Sequence, residues 1–458
     1  MYIEGAARSI FIRHDELNRH RCFHFPYYTP VNPTNFPIPL TQFTKSSPLA
    51  QGKSEGFEGV LTAEPWLSDA RKAKSVYIHV PFCFHKCHYC DFYSIVGTES
   101  QYELYVQQLT KELEYVSPYL RAIDSIFVGG GTPTIFDDGL LGIMLEAVQK
   151  YIPVTNDCEW TIEANPETVT RQKAETLFAT GVNRVSIGAQ TFDSELLKSL
   201  ERCHDPESVS RAVGYITDAG IHDFNIDLIH SIPSQTVEQL QFDIEQATAL
   251  NPTHLSCYSL TYEPNTPLLK RLECGYIERL SHDKEAAMFA LVREELSSRG
   301  YTQYEISNFA KEGFECRHNV SYWKNNNWWA FGASASGHIC GLRWKNTPRI
   351  SEYFAFDVLP PVMDVEKLNA DESAGESFML GLRLVRGMNR EWVDALIEQS
   401  SHRWRSDVIE RYINEGYLMW SDDYLCFTQD GQCFADTVII ALLKQEDPMT
   451  DSTRQEKP

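Results

Sequence analysis

Cys83, Cys87 and Cys90 are the residues most able to do chemistry in this chain, three thiols within eight positions. Their spacing is C-x3-C-x2-C. Three thiolates can hold three irons of a cubane [4Fe–4S] cluster. The fourth iron then keeps an open coordination position, the feature that separates a reactive metal site from a structural one. S-adenosylmethionine (SAM) fills such a corner through its amino and carboxylate groups. Zinc is the competing reading, but zinc sites favour paired C-x2-C ligands with a second pair downstream, and here that pair is missing. Cysteines also pack as small hydrophobes. Three of them beside His85, Lys86 and His88 make poor core material.

A glycine run, Gly129-Gly130-Gly131-Thr132-Pro133-Thr134, lies farther along. Glycines let a ligand approach the backbone closely. The run is not a phosphate loop, because the Gly-Lys-Ser/Thr ending is absent. After a strand, and with the cysteine trio upstream, it suits a shelf under the methionine part of SAM. Polar residues also stand at expected strand ends: Glu163, Gln190 and Asp227. Each alone could be a helix cap. On successive strands of one barrel they converge, and their carboxylates and amide suit ribose hydroxyls and an ammonium group. Arg202 suits a carboxylate.

The elements that must position these residues alternate. Short β-rich runs at 75–80, 125–128, 159–163, 184–187, 224–228 and 254–259 are separated by amphipathic stretches such as 102–116, 166–179, 206–219 and 237–250. Six such units predict a parallel sheet with right-handed crossovers, closed as a partial (β/α)6 TIM-like barrel. Reactive groups sit beyond the carboxyl ends of strands in such folds, and the cysteine trio follows the first strand. The barrel is expected over residues 74–310. A connecting segment rich in aromatics and glycine follows at 311–371, with a helix at 284–298 and a strand at 303–306 before it. Residues 372–445 read as a small helical domain ending in a hairpin (417–420, 424–428), winged-helix-like. Residues 1–73 lack any period and read as a disordered arm, or as an over-extended reading frame, since no Met stands between Met1 and Met144. Residues 446–458 form a polar tail.

The 458 residues, 43% hydrophobic and 23% charged, are globular values with room for two or three domains. A formal net charge of −22 disfavours nucleic acid and anionic membranes as partners. The terminal domain also lacks the basic face that DNA binding needs. No apolar run approaches the roughly 18 residues of an integral membrane segment, and no signal peptide is recognisable. Nine of the 12 cysteines are scattered singles outside the trio, which fits reduced thiols in the cytoplasm.

The motifs Tyr77-x-His79-x-Pro81-Phe82-Cys83, Gly129–Thr134, Glu163-Ala164-Asn165-Pro166 and Asn225-Ile226-Asp227-Leu228 together resemble the radical SAM superfamily. Within it the chain resembles the oxygen-independent coproporphyrinogen III oxidase-like branch, from about residue 75 to about residue 443. The resemblance implies SAM contacts at Tyr77, Tyr89, Gly130, Gly131, Thr132, Glu163, Gln190, Arg202 and Asp227. True oxidases of the branch carry a fourth cysteine two positions after the third; here that residue is Phe92. The HemW-type haem chaperones lack it and carry a His-Asn-x-x-Tyr-Trp motif, present here as His318-Asn319-Val320-Ser321-Tyr322-Trp323. The chain is most similar to that group.

That similarity implies haem binding through His318, Asn319, Tyr322 and Trp323, and delivery to an unidentified acceptor protein; a homodimer is compatible with it. Haem needs an axial His or Tyr and flat apolar walls. The bland alternative is a histidine bonded inside an aromatic cluster. His338, in a glycine-alanine stretch irregular against the group, is a weaker ligand candidate. The competing function is a radical enzyme that cleaves SAM to decarboxylate coproporphyrinogen III. The SAM-binding parts are complete enough to allow it, while Phe92 counts against it.

Overall fold

Six strands pair in parallel and in chain order: β1 (Ser75–Val80), β2 (Ile123–Gly130), β3 (Val154–Ala164), β4 (Arg184–Gln190), β5 (Asp223–His230) and β6 (His254–Ser259). The computed structural model describes residues 61–400 and 403–443. Helices Glu99–Val116, Asp138–Tyr151, Arg171–Ala179, Glu207–Asp218 and Val237–Ala249 form the crossovers. Local sequence starts them. Thr98 with Gln101, and Thr236 with Gln239, make reciprocal capping boxes, and Asp137 and Thr170 accept from the amides of Leu140 and Lys173. All six residues of β1 are buried, as expected for a strand covered on both faces. The six expected strands and the partial-barrel fold are therefore borne out.

The sheet, however, has twelve strands. Beyond β6 it gains β8 (Asn308–Ala310) and β7 (Thr302–Glu305), both antiparallel. Beyond β1 it gains β9 (Trp328–Phe331), parallel, then β10 (Ser336–Ile339), β11 (Leu342–Asn346) and β12 (Val362–Lys367), antiparallel. The stretch expected as a connecting segment at 311–371 is thus largely the other edge of the barrel. Trp329 and Trp344 pack there with ring centroids 5.0 Å apart. Buried Glu112, from the helix Glu99–Val116, anchors it: its carboxyl accepts from Gly332 N (3.0 Å), Asn346 Nδ2 (3.1 Å) and the Tyr353 hydroxyl (2.7 Å). Burial pushes that carboxyl up to about 7.

Most of the expected N-terminal arm and the tail at 446–458 lie outside the described residues. The end of the arm differs from expectation. Glu64–Lys72 is a 3-10 helical segment whose Leu67 and Ala70 are buried, and Trp66 meets Trp344 at 5.4 Å. Apolar burial at these positions overrides the irregular local sequence.

The C-terminal unit holds helices Ala370–Gly381, Arg390–Gln399, Trp404–Asn414 and Ala435–Leu443 around a sheet of β13 (Met388–Asn389), β15 (Tyr424–Phe427) and β14 (Leu418–Ser421). Asp422 and Asp423 both take positive φ, 45° and 66°, as a two-residue hairpin turn requires. Phe378, Ile409, Leu425 and Val438 fill its core, joined by Trp323 from the barrel side. No helix among the described residues is long and apolar enough to cross a membrane.

Arg405 is fully buried in this unit. It donates to the Leu442 carbonyl (2.9 Å), to Ser400 Oγ (2.9 Å) and to the Asp371 carboxylate. Arg405→Ala strands those acceptors and is expected to cost about 3 kcal/mol or more. A denaturant titration of the full chain, read at the C-terminal tryptophans, measures it; a midpoint unchanged from wild type refutes the assignment.

Candidate functional site

The chain leaves β1 through Pro81 and turns into a loop closed at its feet. Cys83 N donates to the Ile95 carbonyl (3.0 Å), and Ile95 N to the Pro81 carbonyl (2.8 Å). Phe82 stays buried against Tyr102 and Tyr105. His79 adds a tether, with Nε2 2.9 Å from the Tyr93 carbonyl and Nδ1 2.9 Å from the Tyr77 hydroxyl. Cys83, Cys87 and Cys90 project from this loop and line one cavity with Tyr89, Phe92, Gly130, Gly131 and Thr132. Thr132 Oγ1 lies 3.7 Å from Cys83 Sγ, and Arg202 Nη1 lies 3.8 Å from Cys87 Sγ. The Thr132 hydroxyl and the Arg202 charge favour the Cys83 thiolate. Burial acts the other way, raising the Cys83 thiol and pushing Cys90 up to about 12. Binding iron at these positions therefore releases protons. The donor set fits an iron–sulfur cluster that spans three thiols along one wall.

Below the loop the strand ends converge as expected. Gly130 has φ +108°, and a Cβ there would meet the His79 ring at 2.5 Å. A Cβ on Gly131 would meet the Phe82 carbonyl oxygen at 2.4 Å, so the glycine run lies flat against the start of the cysteine loop. Glu163 accepts from Gly130 N (3.1 Å). Asp227 accepts from Asn225 Nδ2 (2.8 Å) and Ser186 Oγ (3.2 Å). Arg202 is held by the Gly188 carbonyl (2.7 Å) and Asn165 Oδ1 (2.8 Å), and its buried Nε has no partner among the described residues. Gln190 sits at the irregular end of β4 with φ +67°. Glu163, Gln190, Arg202 and Asp227 all line the same cavity as the cysteines. Burial, then the neighbouring Asp227, push Glu163 up to about 8; burial also raises Asp227. Tyr77 is the exception. It is buried against Phe127 and bonds His79, and it is not part of the cavity wall.

The second constellation is a short helix, Arg317–Trp323, at the opposite end of the sheet. The carboxylate of Glu159 on β3 accepts from the amides of Arg317 (2.9 Å) and His318 (3.1 Å) at its start. Helical phase then splits the motif. Asn319 and Trp323 line the cavity. His318 and Tyr322 pack on the other side, ring centroids 4.8 Å apart, with Phe127 5.2 Å from the His318 ring. His318 is 1% exposed, its Nδ1 is 3.0 Å from Ser125 Oγ, and burial pushes its pKa down to about 3. His338 is closed off too, with Nδ1 3.1 Å from the Asn326 carbonyl and a pKa pushed down to about 4 by burial.

The Radical SAM superfamily model matches residues 77–247, and the HemN C-terminal domain model matches residues 368–434. The heme chaperone HemW of Escherichia coli is 35% identical over 381 residues, covering 81% of this chain and 98% of that protein. Those of Lactococcus lactis and Bacillus subtilis are 33% and 32% identical, over 79% and 81% of this chain and 95% and 99% of theirs. This chain belongs to the HemW family of radical SAM proteins. Coproporphyrinogen III oxidase (HemN) from E. coli shares the fold, at TM-score 0.70 and 20% identity over 83% of this chain and 93% of that one.

In this HemW-family chain some supporting residues carry no sequence signal. Asp243, on the helix Val237–Ala249, accepts from Thr191 Oγ1 (2.8 Å) and Phe192 N (2.6 Å) and so fixes the turn after Gln190. Asn165 was legible only as part of a motif, yet it links Arg202 to Thr132 Oγ1 (3.0 Å). Burial makes a chemical distinction between the histidines. Diethylpyrocarbonate at neutral pH is expected to modify His85 and His222, which are exposed, and to spare His318 and His338. Peptide mass mapping checks it; prompt modification of His318 in the folded protein contradicts the burial.

Proposed function

We propose that this protein is a haem chaperone that binds haem and passes it to an acceptor protein, carrying a [4Fe–4S] cluster with SAM at its open iron. The observation that supports this most is likeness to proteins named heme chaperone HemW along nearly their whole length. Phe92 adds to it, standing on the cavity wall where the oxidase branch carries a fourth cysteine. In this reading Cys83, Cys87 and Cys90 hold the cluster. Gly130, Gly131 and Thr132 offer backbone and hydroxyl groups to the methionine part of SAM, Arg202 takes its carboxylate, and Glu163, Gln190 and Asp227 take ammonium and ribose hydroxyls. Tyr77 acts through His79, which holds the cysteine loop. When reduced, such a cluster can pass one electron to bound SAM. The residues around it exclude water and fix the loop.

A second reading, radical decarboxylation of coproporphyrinogen III, has one observation in its favour: the SAM-side groups are gathered in a single cavity. Haem titration separates the two. After anaerobic cluster assembly, the wild-type chain is expected to bind haem saturably, at about one per chain, with a shifted Soret band. Absence of saturable binding overturns the chaperone reading and leaves decarboxylation in front.

The cavity carboxyls give a second test. Glu163, with a pKa pushed up to about 8, is mostly protonated at neutral pH in the empty site. An ionised carboxylate is the better partner for an ammonium group or a hydroxyl. SAM binding therefore takes up the ionised form, releases a proton, and tightens as pH rises through 8. Equilibrium dialysis should show the Kd for SAM falling about 25-fold from pH 6.5 to 8.5. Glu163→Gln should flatten the profile; an unchanged slope assigns the proton elsewhere.

A further inference from the structure

Asp227 is held from two sides. Its Oδ1 accepts from Asn225 Nδ2 (2.8 Å) and its Oδ2 from Ser186 Oγ (3.2 Å). An ionised carboxylate only accepts, so the Asn225 amide turns its nitrogen this way and its oxygen the other. That oxygen lies 2.7 Å from His254 Nδ1 and also accepts from Ser256 Oγ (3.1 Å). His254 therefore carries its proton on Nδ1. Burial, then the Arg184 charge, hold this imidazole well below its usual range, so it is neutral and Nε2 keeps a lone pair. Nε2 lies 2.8 Å from the Tyr304 hydroxyl, which must then donate. Desolvation holds that phenol well above its usual range, so the proton is there to give. The Tyr304 oxygen in turn accepts from the amide of Cys316 (3.3 Å).

These bonds run in one direction. From the Cys316 amide through Tyr304, His254 and Asn225, every donor points toward Asp227, and aligned donors polarise one another. Strand register sets the path. Asn225 shares a face of β5 with Asp227 and pairs with Ser186 on β4 and His254 on β6. Tyr304, on β7, meets His254 from the other side. Cys316 is the residue from which the helix Arg317–Trp323 starts, and Glu159 takes the next two amides. Asn225, Asp227 and His254 line the cavity. Tyr304 is not on that wall, so it touches no ligand there and acts through His254.

We propose that His254 and Tyr304 are positioning residues of the SAM site, orienting Asn225 so that Asp227 is held for the polar groups of SAM, and that the same chain ties this site to the start of the helix Arg317–Trp323. The assignment rests on the reading of the cavity as a SAM site. Without the Tyr304 proton, His254 is free to carry its own proton on Nε2. Its bare Nδ1 then faces the Asn225 oxygen, lone pair to lone pair. The amide relieves that contact by turning its oxygen onto Asp227, where it repels the carboxylate and leaves it one donor short.

The test is equilibrium dialysis of SAM against the full-length protein after anaerobic cluster assembly, with wild type, Tyr304→Phe, His254→Leu and His254→Asn side by side. Tyr304→Phe removes one hydroxyl, keeps the ring, and is expected to raise the Kd about tenfold. His254→Leu should lose at least as much. His254→Asn puts an amide nitrogen near the place of Nδ1 and is expected to recover most of what His254→Leu loses. A role in packing alone predicts the reverse order, since leucine fills space that asparagine leaves. Circular dichroism and iron content show that each variant is folded and loaded. Hydrogen exchange reads the far end of the chain. SAM is expected to slow exchange of the peptide 315–323 in wild type, and to leave it unaltered in Tyr304→Phe at matched saturation. A Tyr304→Phe Kd within about twofold of wild type, weaker binding by His254→Asn than by His254→Leu, or protection by SAM that survives Tyr304→Phe overturns the proposal while the SAM site stands. Failure of the wild-type chain to bind SAM sinks the site itself.

Discussion

A strand covered on both faces must satisfy every backbone donor and acceptor without water. β1 does so by pairing with β2 along one edge and β9 along the other, with all six residues buried. Both candidate sites are built on this strand. At its carboxyl end the His79 carbonyl accepts from the Tyr105 hydroxyl (2.6 Å), and the His79 ring spans Tyr77 and the Tyr93 carbonyl. The cysteine loop therefore springs from a point fixed by a helix, a strand and its own far side. At the amino end, Ser75 bonds Ser321 and Ser125, and Ser125 bonds His318. The helix bearing the aromatic motif is held there as firmly as the loop is held at the other end. β9 is what completes the pairing, which makes the segment after residue 311 part of the site's foundation.

The cavity between these ends gathers Glu163, Asp227 and Arg202 in one low-dielectric space. Charges so placed are costly unless paired and bonded. Asp227 is compensated by Asn225 and Ser186, and Asn225 is in turn fixed by His254 and Ser256. Glu163 accepts from the Gly130 amide, and Arg202 keeps one buried donor unused among the described residues. The two respond differently. A carboxyl can take up a proton and become neutral, whereas arginine cannot lose one. A zwitterionic, sulfonium-bearing ligand would answer both needs at once. The same groups that make the empty cavity unfavourable thus select what enters it.

Much of this was readable from sequence. The six parallel strands showed as short apolar runs because a doubly buried strand has no polar face to hide it, and five crossovers separated them. Cys83, Cys87 and Cys90 stood out by spacing alone, and a loop of eight residues brings all three to one cavity. Glu163, Gln190 and Asp227 followed from the rule that strand ends converge. The strands β9–β12 were not readable. They are four to six residues long, interrupted by Gly332 and Gly341, and fixed by partners far away in the chain, such as Glu112 and Trp66. The fate of His318 had a signal that could have been used. Positions 318 and 322 share one helical face and 319 and 323 share another, so the four motif residues could not all face one ligand from a straight helix.

The C-terminal unit closes one end of the cavity. Arg383 follows the helix Ala370–Gly381 and stacks over Trp323 at 4.5 Å, while its carbonyl accepts from Ile306 N (3.2 Å). Val385 N bonds the Tyr304 carbonyl (3.0 Å), and Arg343 pairs with Glu376 at 2.8 Å. Trp323 is at once a wall of the barrel cavity and a member of the C-terminal core. Moving that unit away would bare a tryptophan and break contacts to two edges of the sheet together. Glu305, Asn308 and Arg383 close the amino-terminal end of the cavity with polar groups wedged between β7, β8 and the C-terminal unit.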